Sequence, residues 1–340
     1  MNTLTDGFFR VIDYLRLSVT DRCNLRCLYC MPSDGITPSR HEEVLSYEEI
    51  IRIVKVAAKL GVKKVRLTGG EPLIRKNIAF LIAAIKETKG IEDLSMTTNG
   101  ILLEKYAAEV ADAGLDRVNV SIDSFDPNRY REITRGGALD SVIRGLAAAE
   151  KAGLRPLKIN MVPMRGINDQ EVIAFARMTF ETDYHVRFIE CMPSGAGGFW
   201  SPEKYITADE LKVTIESIAP LTPVRVRKNG PSKYYRLEGA KGVVGFISAL
   251  THHFCKDCNR LRLTADGKLR PCLFSETEID LRAPLRMGAP DSEIERLLLL
   301  SIAVKPEGHT IGTRNRGLHM GPETLACAHG VKRPMSKIGG

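Results

Sequence analysis

Six of the eight cysteines in this 340-residue chain fall into two short clusters, Cys23-x-x-x-Cys27-x-x-Cys30 and Cys255-x-x-Cys258 followed by Cys272. Three thiolates can hold a cube of four irons while leaving one iron without a protein ligand, and an open iron invites a chelating substrate. Zinc is the competing occupant, and at structural sites it takes four ligands. The histidine nearest the first trio, His41, is remote in sequence, whereas His252 or His253 would complete a set of three cysteines and one histidine around the second. Spacing therefore favours an iron-sulfur cluster at the first trio and zinc at the second. Cys191 and Cys327 have no evident partners and read as unligated thiols.

The elements that must position these groups follow from hydrophobic patterning. Short β-rich runs at Tyr14–Val19, Val62–Thr68, Leu94–Thr98, Arg117–Ile122, Leu157–Val162 and Val186–Glu190 alternate with helix patterns such as Tyr47–Leu60, capped by Ser46. Leu102–Ala113 closes on Gly114, Ser141–Ala152 closes on Gly153, and Asp169–Phe180 is a further helix pattern. Six βα units fall short of the eight that close a barrel. After Ala219 the pattern changes to short strands at Val224–Arg227, Lys233–Leu237, Val243–Ile247 and Arg260–Thr264. The expected architecture is α/β: an incomplete (βα)6 barrel over residues 1–220 and a smaller β-containing cap over 221–340 that carries the second cysteine trio. Ligands should sit at the C-terminal ends of the barrel strands, where the first trio also falls.

Ala265-Asp266-Gly267 suits a three-residue hairpin loop with Gly267 left-handed, which sets Arg260 opposite Cys272 and Arg262 on the same face. A two-residue loop would pair Cys272 with Leu261 and put both arginines on the other face.

A hydrophobic share of 44% and a charged share of 26% are ordinary for a soluble globular chain, so disorder and fibrous structure are not suggested. No apolar run approaches ~20 residues and no signal peptide is evident, so the expected location is cytoplasmic, with no membrane partner. In that reducing compartment clustered cysteines read as metal ligands and not as disulfides. The net charge of +8 is not gathered into blocks or interleaved with aromatics, which fits a small polyanion better than nucleic acid.

Cys-x-x-x-Cys-x-aromatic-Cys after a first strand, followed by Gly69-Gly70-Glu71-Pro72 after the second, resembles the radical S-adenosylmethionine superfamily. The resemblance implies a 4Fe-4S cluster on Cys23, Cys27 and Cys30 whose open iron chelates S-adenosylmethionine, with Tyr29, Gly70, Ser121 and Met192 as cofactor contacts. Cys255–Leu273, Tyr14–Pro32, Val65–Leu73, Lys158–Asp169, Arg187–Pro193 and the terminal Gly339-Gly340 together resemble the superfamily members that cyclise GTP in the first step of molybdenum cofactor biosynthesis.

That likeness implies a second 4Fe-4S cluster on Cys255, Cys258 and Cys272 whose open iron binds guanine. It implies nucleotide contacts from Arg16, Arg66, Thr97, Lys158, Arg260, Leu261 and Arg262, and a catalytic role for Gly339 and Gly340. The expected partners are a flavodoxin- or ferredoxin-like electron donor and the downstream cyclic pyranopterin monophosphate synthase, and a homodimer is compatible. Gly312–Val331 fits the likeness loosely.

Overall fold

The strands of this chain carry their apolar residues on alternate positions, and that parity decides which side of the sheet each faces. The computed structural model describes residues 4–193, 198–226, 230–309, 311 and 333–338. β1 (Tyr14–Ser18), β2 (Lys64–Thr68), β3 (Asp93–Thr98), β4 (Arg117–Ser121), β5 (Lys158–Met161) and β6 (His185–Ile189) pair in order, all parallel. Leu15, Leu17, Val65, Leu67, Val118, Val120, Ile159, Val186 and Phe188 point outward into one apolar core shared with the surrounding helices. The alternate set points inward, and it is polar.

Helix α1 (Tyr47–Lys59) starts where the sequence indicates: Glu49 N donates to Ser46 Oγ and Ser46 N donates to the Glu49 carboxylate, a reciprocal cap. Its buried residues Ile50, Ile53, Val54 and Ala57 recur at helical spacing and cover the sheet. α3 (Leu103–Asp112) and α5 (Leu139–Lys151) are followed by Gly114 and Gly153 with φ of 97° and 75°, the left-handed stop that glycine tolerates. The segment expected as one helix from Asp169 is a 3-10 turn, Asp169–Glu171, leading into α6 (Val172–Glu181).

The strands after residue 220 do not form a sheet of their own. β7 (Leu221–Val224), β8 (Lys233–Leu237) and β9 (Val243–Ile247) extend one edge, with β9 parallel to β6. β10 (Arg260–Leu263), β11 (Lys268–Arg270) and β12 (Ile279–Asp280) extend the other, with β10 parallel to β1. Eight strands thus run parallel in the order β10-β1-β2-β3-β4-β5-β6-β9, and the described pairings leave the barrel open between the two antiparallel edges. The reason is burial: Val244, Phe246, Leu261 and Leu263 need the same apolar layer as the first six strands. The C-terminal segment also contains a helix, Asp291–Ala303, packed on α1, β11 and β12.

α3 and α5 approach closely at Gly145, where a Cβ would collide with the carbonyl oxygen of Gly100 and lie 3.0 Å from Leu103 Cβ. Gly145→Ala should therefore destabilise by ~1 to 3 kcal/mol through overpacking, against ~1 kcal/mol of helix propensity gained. Denaturant unfolding measures it, and a net stabilisation would show that the two helices can separate freely.

Candidate active site: a cationic barrel interior between two thiol trios

β1 ends in the loop that carries Cys23, Cys27 and Cys30. Arg26 N and Leu28 N donate to the carbonyls of Thr134 and Ile133 at 3.0 and 2.9 Å, which ties the loop to the end of α4 (Pro127–Thr134). Gly70 N and Glu71 N donate to Thr20 O and Arg22 O, both at 2.8 Å. A Cβ at Gly69 or Gly70 would strike the backbone of Thr20 or Arg22, so these glycines admit the cysteine loop itself. The buried Glu71 carboxylate accepts from Leu73 N, Thr98 Oγ1 and Asn99 N at 3.1, 2.8 and 2.7 Å, joining β2 to β3 beneath the loop.

Burial pushes the Cys23 thiol up to about 11 and the Cys30 thiol up to about 12, and Cys27 is raised further by Cys30, Asp123 and Cys23 around it. Three mutually repelling, half-buried thiols ionise only when a metal's positive charge is present, as expected of cluster ligands. The second trio sits in a different field. Burial opposes ionisation of Cys258, but Arg260 and Lys305 outweigh it and bring the thiol down to about 6. Lys305 Nζ donates to Arg260 O and Pro271 O at 2.9 and 2.6 Å, which fixes it between the strand and the Cys272 loop. Arg10 donates to Cys255 O, Glu307 O and Pro306 O at 2.7, 2.8 and 2.7 Å while paired to buried Asp6 at 2.6 Å.

The β10–β11 hairpin has the three-residue register: Arg262 pairs with Arg270 and Leu263 with Leu269, which sets Arg260 opposite Cys272, and Gly267 has φ of 81°. One cavity fills the barrel interior. Arg16, Arg66, Thr97, Lys158, Arg260 and Arg262 all line it, together with Cys255, Cys258 and Cys272. The side chain of Leu261 faces outward, 1% exposed in the apolar core beside Leu15, because a residue between Arg260 and Arg262 must point to the opposite face of the strand, so a nucleotide contact at this position would fall to its main chain.

Tyr29, Ser121 and Met192 line the cavity, whereas Gly70 does not. Tyr29 Oη donates to Asp123 at 2.7 Å, and the other Asp123 oxygen accepts from Val162 N at 2.8 Å. Cys191 is buried with Ile133 and Met164, and Cys327 and Gly312–Val331 lie outside the described residues. So do Gly339 and Gly340. The described segment before them runs into the site: Arg333 pairs with Asp266 and Glu278, Met335 lines the cavity, and the main chain at Ser336 hydrogen-bonds the Cys30 sulfur.

Sequence reasoning missed Arg187 and Lys305, both of which line the cavity. Strand parity was a usable signal for Arg187, which lies between the outward Val186 and Phe188. Arg16 stands beside Arg66 on β2 and Arg262 on β10, and Arg187 stands beside Asn160. The lining holds seven basic side chains (Arg16, Arg66, Lys158, Arg187, Arg260, Arg262 and Lys305) and two carboxylates. One carboxylate, Asp123, faces Tyr29, and the other, Glu190, accepts from Ala208 N and Leu250 N at 3.1 and 2.8 Å. Burial, followed by repulsion from Arg187, Arg117 and Arg66, brings Lys158 down to about 6, and burial likewise lowers Arg66 to about 9. Arg187 Nε and Asn160 Oδ1 are buried with no hydrogen-bond partner among the described residues. A polyanion with hydrogen-bonding edges satisfies all of these groups at once.

An open parallel barrel with a three-thiol loop after its first strand defines a radical S-adenosylmethionine enzyme. Residues 17–179 match the model of the Radical SAM superfamily and residues 184–311 that of Molybdenum Cofactor Synthesis C. A solved structure of Streptococcus suis SuiB bound to S-adenosylmethionine shares the fold, with a TM-score of 0.62 at 16% identity over 95% of this chain and 74% of that one. The chain is 50% identical to GTP 3′,8-cyclase of Thermodesulfovibrio yellowstonii over 99% of its own length and 100% of the relative's. It is 52% identical to that of Petrotoga mobilis, over 90% and 94% respectively. The chain belongs to the GTP 3′,8-cyclase family.

A neutral Lys158 that meets a triphosphate must take up a proton, because the bound anion restores the charged form. GTP binding to the cluster-loaded protein near pH 7.5 should therefore absorb close to one proton. Calorimetry in buffers of different ionisation enthalpy reads this, and the uptake should vanish in Lys158→Met. Equal heats in all buffers would show that Lys158 is already charged.

Proposed function

We propose that this chain cyclises GTP to (8S)-3′,8-cyclo-7,8-dihydroguanosine 5′-triphosphate, the first step of molybdenum cofactor biosynthesis, using two 4Fe-4S clusters and S-adenosylmethionine. The observation that carries the reading is the single cavity in which a row of buried cations meets the second cysteine trio, with Tyr29 and Ser121 of the first site on its wall.

Cys23, Cys27 and Cys30 would hold the first cluster, and Cys255, Cys258 and Cys272 the second. When bound, the first cluster and S-adenosylmethionine supply the radical that removes hydrogen from the ribose 3′ carbon, and the second offers an open iron to guanine. The chain's own contribution is placement. Arg16, Arg66, Lys158, Arg187 and Arg262 grip the triphosphate within the barrel, and Arg260 bridges the nucleotide and the Cys258 ligand. Tyr29, held by Asp123, with Ser121 and Met192 would line the S-adenosylmethionine side. Residues 1–220 supply the radical half and 221–340 the second-cluster half. Gly339 and Gly340, following a segment that already reaches Cys30, would enter the space between them.

No helix among the described residues is long and apolar enough to cross a membrane. A cytoplasmic setting, a flavodoxin- or ferredoxin-like donor, hand-over to cyclic pyranopterin monophosphate synthase and a homodimer complete the proposal.

The test is anaerobic turnover with a chemical reductant and a panel of nucleotides, in which only GTP should stimulate 5′-deoxyadenosine release. Cys27→Ala should abolish cleavage of S-adenosylmethionine, whereas Cys272→Ala should spare its binding and stop cyclisation. Normal cyclisation by the latter would remove the substrate role from the second trio. Deleting Gly339 and Gly340 should leave about eight irons per chain yet lower product formation ~100-fold, since a slightly misplaced substrate costs that much. Full iron with unchanged product formation would remove the tail from the site.

A further inference from the structure

The exposed arginines of this chain divide into two sets. Arg40, Arg144, Arg155, Arg165, Arg286 and Arg296 each pair with a carboxylate. Seven others form no ion pair among the described residues: Arg177 on α6, Arg225 and Arg236 on the β7–β8 hairpin, and Arg22, Arg26, Arg131 and Arg135. The last four stand together, on the first cysteine loop and on the end of α4 that holds it. Arg26 N donates to Thr134 O at 3.0 Å, and the Arg135 guanidinium donates to Arg26 O and Met31 O at 3.2 and 3.0 Å. Arg135 does so from a left-handed backbone, with φ of 54°, where glycine would be unstrained. Two separate segments thus form one surface. Arg22 and Arg26 border a shallow depression on its outer side, and none of the four arginines lines the barrel cavity.

Against these four guanidinium groups, residues 21–36 and 131–136 expose two carboxylates, Asp34 and Glu132. Asp21 is buried, and one of its oxygens accepts from Ser39 N and Ser39 Oγ at 2.7 Å each. No large hydrophobic side chain is exposed on either segment. The surface therefore offers no aromatic platform for a nucleic-acid base and no apolar wedge for a membrane. What it does suit is an acidic protein, because opposite charges steer the encounter and set the orientation. A partner docked there meets the loop of Cys23, Cys27 and Cys30 from outside the barrel, without crossing the substrate cavity.

We propose that Arg22, Arg26, Arg131 and Arg135 form the docking surface for an acidic electron-carrier protein that reduces the first cluster. A flavin carrier in its anionic hydroquinone form gives up one electron there and becomes the neutral semiquinone. That electron reduces the cluster, and no atom is transferred. The inference rests on the iron-sulfur reading of the first trio and not on the identity of the nucleotide. The four side chains stand outside the ligand set, so the surface belongs to the cluster-loaded protein.

The test uses the cluster-loaded full chain and, as probe, a bacterial flavodoxin of net negative charge. Wild-type binding of oxidised flavodoxin should weaken steeply between ~0.01 and ~0.15 M salt, as the screening length falls from about 30 to about 8 Å. At low salt the double variant Arg26→Glu, Arg131→Glu should bind roughly tenfold or more weakly, and oxidation of flavodoxin hydroquinone followed by stopped flow should slow in step. Photoreduction by 5-deazariboflavin, a small uncharged donor, should keep its wild-type rate. Arg22→Glu with Arg131→Glu is a second pair that should give the same loss, so the result does not hang on one loop position. Arg177→Glu with Arg236→Glu changes the net charge equally and should bind as the wild type does. Unchanged flavodoxin binding in both loop pairs, or equal weakening in the Arg177 and Arg236 pair, would overturn the proposal. Binding and flavin oxidation are read without nucleotide, so failure of GTP cyclisation would leave this result standing.

Discussion

Seven basic side chains share one cavity with two carboxylates that are already engaged, and the rest of the molecule is arranged around that imbalance. Taking cations out of water is costly, and placing them beside one another adds repulsion; both effects appear in the lowered Lys158 and Arg66. What offsets them is the other face of the same strands, where an unbroken apolar layer binds the sheet to its helices. The alternation of a β-strand lets one short segment serve both ends: Leu15 and Leu17 hold the barrel together while Arg16 between them lines the cavity. The barrel interior is thus an electrostatically strained arrangement that a polyanion of matching size would relieve.

The two thiol trios show the same principle with opposite sign. Around Cys27 and Cys30 burial and neighbouring thiols and carboxylates suppress ionisation, so the metal must supply the charge that makes them ligands. Around Cys258 the cavity-lining Arg260, with Lys305, ionises the thiol beforehand. Arg260 therefore joins the ionisation of a thiol of the second trio to the charge of the cavity it lines.

Local chemistry was legible in the sequence and long-range chemistry was not. Ala265-Asp266-Gly267 defines its turn by itself, so the register that brings Arg260 opposite Cys272 could be derived from a few residues. The caps at Ser46, Gly114 and Gly153 are equally local. Strand parity alone sends the Leu261 side chain to the core between two cavity-facing arginines, and the same parity would have brought in Arg187. The pairing of β9 with β6 and of β10 with β1 joins residues far apart in the chain, for which neither periodicity nor composition holds a signal. Arg10 and Lys305 act through bonds to backbone carbonyls, and such contacts leave no spacing pattern at all.

The clasp made by Arg10 has a consequence for how the chain comes into being. Its partner Cys255 lies 245 residues downstream. At ribosomal rates of ~5 to 20 residues per second, roughly 10 to 50 s pass between synthesis of the two. For all of that time β1 lacks its β10 neighbour and exposes an apolar strand edge. The first thiol loop and its supports in β2, β3 and α4 can assemble early, whereas the second half of the active site exists only once translation is nearly finished. Nascent chains stalled between these points would therefore be the form most exposed to chaperones and to intermolecular strand pairing.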